Sequence, residues 1–390
     1  MPPTETTLHG GKILKKNLKG GFAADDMKHD LVEKIKSGEL QPGEKILSER
    51  KLAISYGISY MTVRRAIDAL VKEGYVSREP HRGLFVSKKF RSISTVRNRT
   101  IAFVASELSG EVMSSLLCSI EQRARQYGYF VIVCNSVLDV TIERAALENI
   151  RHTNISGVII HPINSIVNKA AALSLVNSGI PVVAIDDVYT DVGIDSVTCD
   201  NVDIAYKAVS HLIRNGHTNI AHITVSMENF RHNRVAQKRM EGFRNAMREH
   251  DLPILPGNIT YLPWEYTSLP INEIDMNMIG YEQTLELLRR DNPPTAIFAL
   301  FDEMAPGIYR AAAETGVRIP EDLSVIGVNN TDICDRLAPG LTTMAQPFKV
   351  IGLRAVDLLV MRSSEQTSGE IADELQGTLV QRGSVSAVRA

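Results

Sequence analysis

From Thr100 onward the chain repeats one pattern: a short unbroken apolar run, then a stretch of helical periodicity. The runs include "IAFVAS", "FVIVCNS", "GVIIHP", "PVVAIDD", "NIAHIT", "AIFALF" and "LSVIGV". A strand with one wet face alternates apolar and polar residues, so unbroken runs predict strands covered on both faces. Strands that alternate with helices predict parallel sheets, because a parallel neighbour is reached only through a crossover. The series is long enough for two similar lobes. This predicts an α/β body whose parallel sheets are flanked by helices.

The first hundred residues read differently. The net charge of −2 hides an asymmetry: residues 1–99 hold 20 Lys/Arg against 11 Asp/Glu, and residues 100–390 hold 23 against 34. A basic front on an acidic body suggests a polyanionic partner for the front. Residues 1–26 lack periodicity and are read as a flexible tail. Residues 27–88 form the compact head, and "KFRSISTVRNR", residues 89–99, is a polar linker.

Within the head, "MKHDLVEKIKSGEL" places Leu31, Val32 and Ile35 on one face. A second helix starts at the N-cap Ser48 and stops at Gly57. A third starts after Ser59, with Val63, Ala66, Ile67, Leu70 and Val71 at helical spacing toward the core. Tyr60, Met61, Arg64, Arg65 and Asp68 are left outside. Two helices joined by so short a turn are a helix-turn-helix, whose second helix presents its N-terminal residues to base edges. Arginine there forks onto guanine or grips phosphate. The competing reading is a solvated helix with charges paired at i,i+4. "YVSREPHRGLFVS" then reads as a two-stranded wing with His81, Arg82 and Gly83 at its tip.

Other chemistry is poorly supported. There is no GxSxG, Walker A loop, HExxH, or GxGxxG after a strand. His217 and His222 lie five apart across a turn into a strand, a poor geometry for a shared metal. Cys118, Cys134, Cys199 and Cys334 form no CxxC pair and read as small core residues of a cytoplasmic protein. No run of ~18 apolar residues marks a membrane span, and the N-terminus is too polar for a secretory signal. No cofactor and no metal are expected.

The stretch "SGELQPGEKILSERKLAISYGISYMTVRRAIDALVKEGYV" with "RGLFV" resembles the winged-helix domain of GntR-type regulators. The resemblance implies DNA contacts from Arg50, Thr62 and Arg64, with Ser59, Tyr60 and Arg65 beside them and the wing near the minor groove. Family members commonly carry arginine where this chain has Tyr60. Residues 100–390 resemble the effector domain of LacI-type repressors, itself similar to periplasmic sugar-binding proteins. The matching pieces include "SIEQRARQYGY", "SGIPVVAIDD", "RVAQKRMEGFRNAM", "IPEDLSVIGVNNTD" and "LVQRGSV". The combination resembles the AraR-like class of sugar-responsive regulators.

That resemblance implies lobe one at about 100–198 plus 347–372, and lobe two at about 199–346 plus 373–390. The chain then crosses near 198, 346 and 373, at a hinge. It implies an effector site of Ser106 and Glu111 in the loop after the first strand, with Asp186, Arg239, Phe301, Asp302, Asn329 and Gln346. Phe301 and Asn329 depart from the usual Asn and Asp. Trp264, the only tryptophan, is read as a packing anchor, with a cap over the cleft as the alternative. The expected function is a homodimeric repressor released from double-stranded operator DNA by a small carbohydrate. A purine or amino-acid effector, a sugar-transport protein and a DNA-binding head fused to an enzyme are the alternatives.

Overall fold

The computed structural model describes residues 24–36, 39–79, 82–87, 99–225, 233–261, 274–364 and 369–388. His81, Trp264, residues 1–23 and most of the linker lie outside them. The chain divides into two compact units between Asn98 and Arg99.

The first unit holds α1 (Ala24–Lys36), α2 (Glu49–Tyr56), α3 (Tyr60–Lys72) and the antiparallel hairpin β1 (Val76–Glu79) and β2 (Gly83–Val86). Ser48 caps α2 by accepting the Lys51 N–H at 3.4 Å. Gly57 ends it at φ 66°, in the left-handed region that favours glycine. Ser59 caps α3 through the Thr62 N–H at 3.1 Å. The turn is therefore set by three residues legible in the chain. Leu31, Ile35, Leu52, Val63, Ile67, Leu70, Val76 and Val86 close one apolar core.

The second unit contains two six-stranded sheets. The first lobe holds β3 (Thr100–Ala105), α4 (Glu111–Gln126), β4 (Phe130–Asn135), α5 (Val140–Ile150), β5 (Gly157–Ile160), α6 (Lys169–Asn177), β6 (Val182–Ile185) and β7 (Asp195–Cys199). The chain then crosses into α7 (Asn201–Arg214), β8 (Ile220–Ile223), α8 (Arg234–Glu249), β9 (Ile259–Thr260), α9 (Met276–Leu288), β10 (Ala296–Ala299), α10 (Ala305–Glu314), β11 (Ser324–Asn329), α11 (Ile333–Arg336) and β12 (Thr342–Ala345). It returns through α12 (Phe348–Ser364) and β13 (Ala372–Leu375), and crosses again to β14 (Thr378–Val380).

Strand order is β13-β7-β6-β5-β3-β4 in the first sheet and β14-β12-β11-β10-β8-β9 in the second. Every pairing in both sheets is parallel except β12 with β14. The crossings fall at Asp200, between Ala345 and Phe348, and after Leu375. The last is later than residue 373, because Asp373–Leu375 pair with Val197–Cys199 in the first sheet.

Two sequence expectations are corrected. "FVIVCNS" is not covered on both faces: β4 is the sheet edge, with Phe130 78% and Ile132 50% exposed. Of the cysteines, Cys199 and Cys334 are buried, but Cys118 is exposed. One contiguous apolar cluster runs from Phe103 and Leu116 through Cys199 and Ile204 to Phe243 and Phe298, so the crossings are packed. Close approach of α7 and α8 depends on Gly242: a Cβ there would lie 2.1 Å from the Val202 carbonyl oxygen.

Candidate functional site

The head presents a cationic face. Arg50, Arg64 and Arg65 are exposed, and among the described residues none has an ion pair. The i,i+4 partner available to Arg64 is Asp68. Arg78 takes it instead, and also binds Glu49 at 2.6 Å. Arg78, which the sequence did not single out, thus ties the hairpin to α2 and α3 and removes the nearest acids from competition. A solvated helix with paired charges is not what forms here. At the wing, Arg82 contacts Glu79 at 2.5 Å and stacks 5.4 Å from the Phe85 ring centroid. Gly83 beside it has φ +113°. Thr62 is half-buried and its hydroxyl lies 2.8 Å from that of Ser59, so both hydroxyls serve the cap.

In the second unit the carboxyl ends of three adjacent strands line up. Ser106 follows β3, His161 follows β5 and Asp186 follows β6. Ser106 Oγ is 2.9 Å from His161 Nδ1, and His161 Nε2 is 3.4 Å from Asp186 Oδ2. This is the edge of a parallel sheet where ligands bind in open α/β folds. Asp186 sits at φ 67°, and its buried Oδ1 has no hydrogen-bond partner. Burial pushes the Asp186 carboxyl up, but His161 and Arg239 outweigh it and hold it below the usual range.

The opposing lobe supplies Arg239 from α8. It is 1% exposed. Its Nε donates to Asn201 Oδ1 at 2.9 Å and its Nη1 to the Leu300 carbonyl. The guanidinium lies 5.1 Å from the Phe301 ring centroid, a cation–π contact. Burial lowers the Arg239 pKa to about 10, with Asp186 foremost among the groups that oppose the shift. The side chain therefore remains a cation at neutral pH.

Asp186, Asp187, Val188, Thr198, Cys199, Asn201, Arg234, Val235 and Lys238 line a narrow crevice with about 10 Å³ of free space. Of the eight expected effector residues, only Asp186 is in that lining. Asp302 is fully buried, with Oδ1 accepting from Thr343 Oγ1 at 2.7 Å and Oδ2 from the Thr331 N–H at 3.1 Å. It props the loop after β11, so both its oxygens are engaged within the lobe. Asn329 accepts from Gln346 Nε2 at 2.8 Å, which leaves the buried Gln346 Oε1 without a donor. Glu111 is the first residue of α4, not a loop residue, and accepts the Asp332 N–H at 2.5 Å.

That last contact bridges the lobes. So do Lys238 to Glu374 at 2.7 Å and Arg234 to Asp187 at 3.6 Å. The lobes are closed on one another. His161, Asn201, Arg234 and Lys238 were not foreseen. His161 had a readable signal, a polar residue at the end of an apolar run, as in "VVAID". Arg234 and Lys238 are an i,i+4 pair on α8, a spacing that puts both on one face.

His217 and His222 have separate partners. His217 bonds Thr295 and the Ser386 carbonyl, whereas His222 stacks between Phe243 and Phe298. Burial lowers the His222 pKa to about 4, against the Phe298 carbonyl, which favours the proton. In the unfolded chain histidine titrates near 6.5. The unfolded state therefore takes the proton first, and this stabilisation is present above about pH 6.5 and lost as pH falls toward about 4. The loss is on the order of 3 kcal/mol. Burial pushes Glu143, Asp302 and Glu303 up, which contributes with the opposite sign. The measurement is thus a difference: urea unfolding of the native protein and His222→Gln, at about pH 7 and about pH 4.5. The native protein should lose more stability; equal losses contradict this assignment.

A winged helix-turn-helix joined to a two-lobed α/β clamp defines a DNA-binding transcription regulator with a ligand-binding body. Residues 23–86 match bacterial regulatory proteins of the gntR family, and residues 209–385 match the periplasmic binding protein-like domain. The chain is 27% identical over 355 residues to the arabinose metabolism transcriptional repressor of Geobacillus stearothermophilus, covering 89% of this chain and 93% of that one. It is 30% identical over 307 residues to catabolite control protein A of Priestia megaterium, covering 78% and 85%. The crystal structure of a LacI family transcriptional regulator from Enterococcus faecium with bound ribose superposes with TM-score 0.62 at 29% identity, over 74% of this chain and all of that one. The chain is a regulator that joins a gntR-type head to a periplasmic binding protein-like body, the combination of the AraR-like class.

Proposed function

We propose that the protein is a repressor that leaves its operator when a small sugar occupies the crevice between its lobes. The observation that carries this is a pair of buried acceptors, Asp186 Oδ1 and Gln346 Oε1, that lack donors in the same lobed unit as the buried Arg239 cation. Buried acceptors without donors are costly. A polyol supplies several hydroxyl donors, and its ring oxygen and hydroxyls accept from a guanidinium. With about 10 Å³ of free space the closed crevice is far below the ~300–1,000 Å³ of sites for drug-sized ligands, so the lobes must part to admit a sugar. One relative is named for arabinose metabolism and one similar structure holds ribose, so pentoses are the first candidates. The protein acts as a regulator without catalysis, in the cytoplasm where its DNA target lies.

The test is a thermal-shift screen of pentoses, hexoses, purines and amino acids. A ligand at a hundredfold excess over its dissociation constant adds about 2.7 kcal/mol. A shift with a pentose supports the reading. A shift confined to purines or amino acids overturns the sugar assignment.

The working form is a homodimer paired through its large domains, so that two heads meet two operator half-sites. The unpaired edge of β4, with exposed Phe130 and Ile132 beside exposed Tyr127, suits a second copy of the chain, since a bare apolar edge invites pairing. Sedimentation of Phe130→Glu should show monomer where the native protein shows dimer. An undisturbed dimer places the interface elsewhere.

A further inference from the structure

All three exposed large apolar side chains among the described residues of the head fall within residues 54–61: Ile54 at 82%, Tyr60 at 41% and Met61 at 58%. Two of them open α3. At about 100° per residue, Met61 lies opposite the buried stripe of Val63, Ile67 and Leu70 and between Arg64 and Arg65. Tyr60 lies beside Arg64. The outward face of this first turn therefore alternates apolar and cationic side chains, in the order Tyr60, Arg64, Met61 and Arg65 around the helix.

An occupant for such a face must offer anionic and apolar groups side by side. A peptide with acidic residues meets the charge but brings no fixed apolar array. The major groove meets both, because phosphates flank it and thymine projects a C5 methyl into it. Resting on the regulator reading, we infer that Tyr60 and Met61 read thymine methyl groups at the centre of each half-site. The operator is accordingly A·T-rich at the bases under the first turn of α3, while Arg64 takes the adjacent guanine or phosphate.

The experiment begins with operators selected from random duplexes by the full-length protein. Each thymine is then replaced by deoxyuridine, which removes only the methyl group, and affinity is measured at fixed salt. One or two positions per half-site should lose roughly fourfold, the ~0.8 kcal/mol of one buried methyl. Met61→Ala should abolish the deoxyuridine effect at one of these positions and leave the other intact; Tyr60→Ala should do the converse. Met61 is exposed, so its variant keeps the fold. Tyr60→Arg should move the preference at its own position from thymine toward guanine. Neutral deoxyuridine at every position, or an unchanged effect in both alanine variants, overturns this inference while leaving the regulator reading in place. Failure to select any sequence overturns both.

Discussion

Replacing Arg239 with alanine should abolish the response to ligand. The side chain is the largest fully buried one among the described residues, and it is a cation. Its removal leaves the Leu300 carbonyl and Asn201 Oδ1 without their donor and strips Asp186 of its main opposing charge from the other lobe. Truncating one partner of a buried charge pair costs about 2–5 kcal/mol of binding. Titration calorimetry with the sugar found by thermal shift should therefore show roughly a thirtyfold loss or more. The same variant should also lose stability to urea, because the buried Leu300 carbonyl and Asn201 Oδ1 lose their donor. Asp186→Asn separates the two effects: it keeps the volume and the fold but removes the charge and one acceptor. Ligand affinity that survives Arg239→Ala would show that Arg239 does not support the effector site.

The second large effect belongs to the head. Arg64→Ala should weaken operator binding by about 1–3 kcal/mol per half-site if the guanidinium forks onto a base. Because Arg64 is exposed and unpaired, the variant should unfold like the native protein. Salt dependence distinguishes the two kinds of contact. Loss of a base contact leaves the slope of log affinity against log salt unchanged, whereas loss of a phosphate contact lowers it by about one. Arg50→Ala, on α2, should show the phosphate pattern. Unaltered affinity in Arg64→Ala would mean that α3 does not enter the groove.

Much of this architecture was legible because its signals are local. Ser48, Gly57 and Ser59 set two helices and the turn between them through caps and one left-handed residue, all within twelve positions of each other. Unbroken apolar runs marked strands for the same reason: each residue faces a helix-covered side. The method failed at β4, where a run of the same composition lies at the sheet edge. Nothing in "FVIVCNS" tells whether its second neighbour is a strand of the same chain or the surface of another. The resemblance puts the third crossing near 373, whereas pairing with β7 carries the first sheet on to Leu375.

The site was less legible, because it is made by long-range pairing. Asp186 and Arg239 could be named, yet they come from different lobes and feel one another only through charge. Asp302 shows the opposite case. Its position at the end of an apolar run is that of a ligand-facing residue, and its hydrogen bonds to Thr331 and Thr343 turn it into a prop. His161 was missed because its partners, Ser106 and Asp186, lie 55 and 25 positions away in sequence; adjacency of β3, β5 and β6 brings them together. Arg78 was missed for a related reason: its value lies in occupying Asp68 and Glu49, which leaves Arg64 uncommitted.

Regulation requires that ligand distinguish two states of the clamp, since a ligand that binds both equally shifts nothing. The closed lobes, bridged by Glu111, Arg234 and Lys238, are one of those states. The most direct measurement is operator affinity of the full-length protein at fixed salt, with and without a sugar already shown to bind. Coupling of the clamp to the head predicts that saturating sugar weakens the complex severalfold or more. Operator affinity that stays the same while the crevice is demonstrably filled would contradict it.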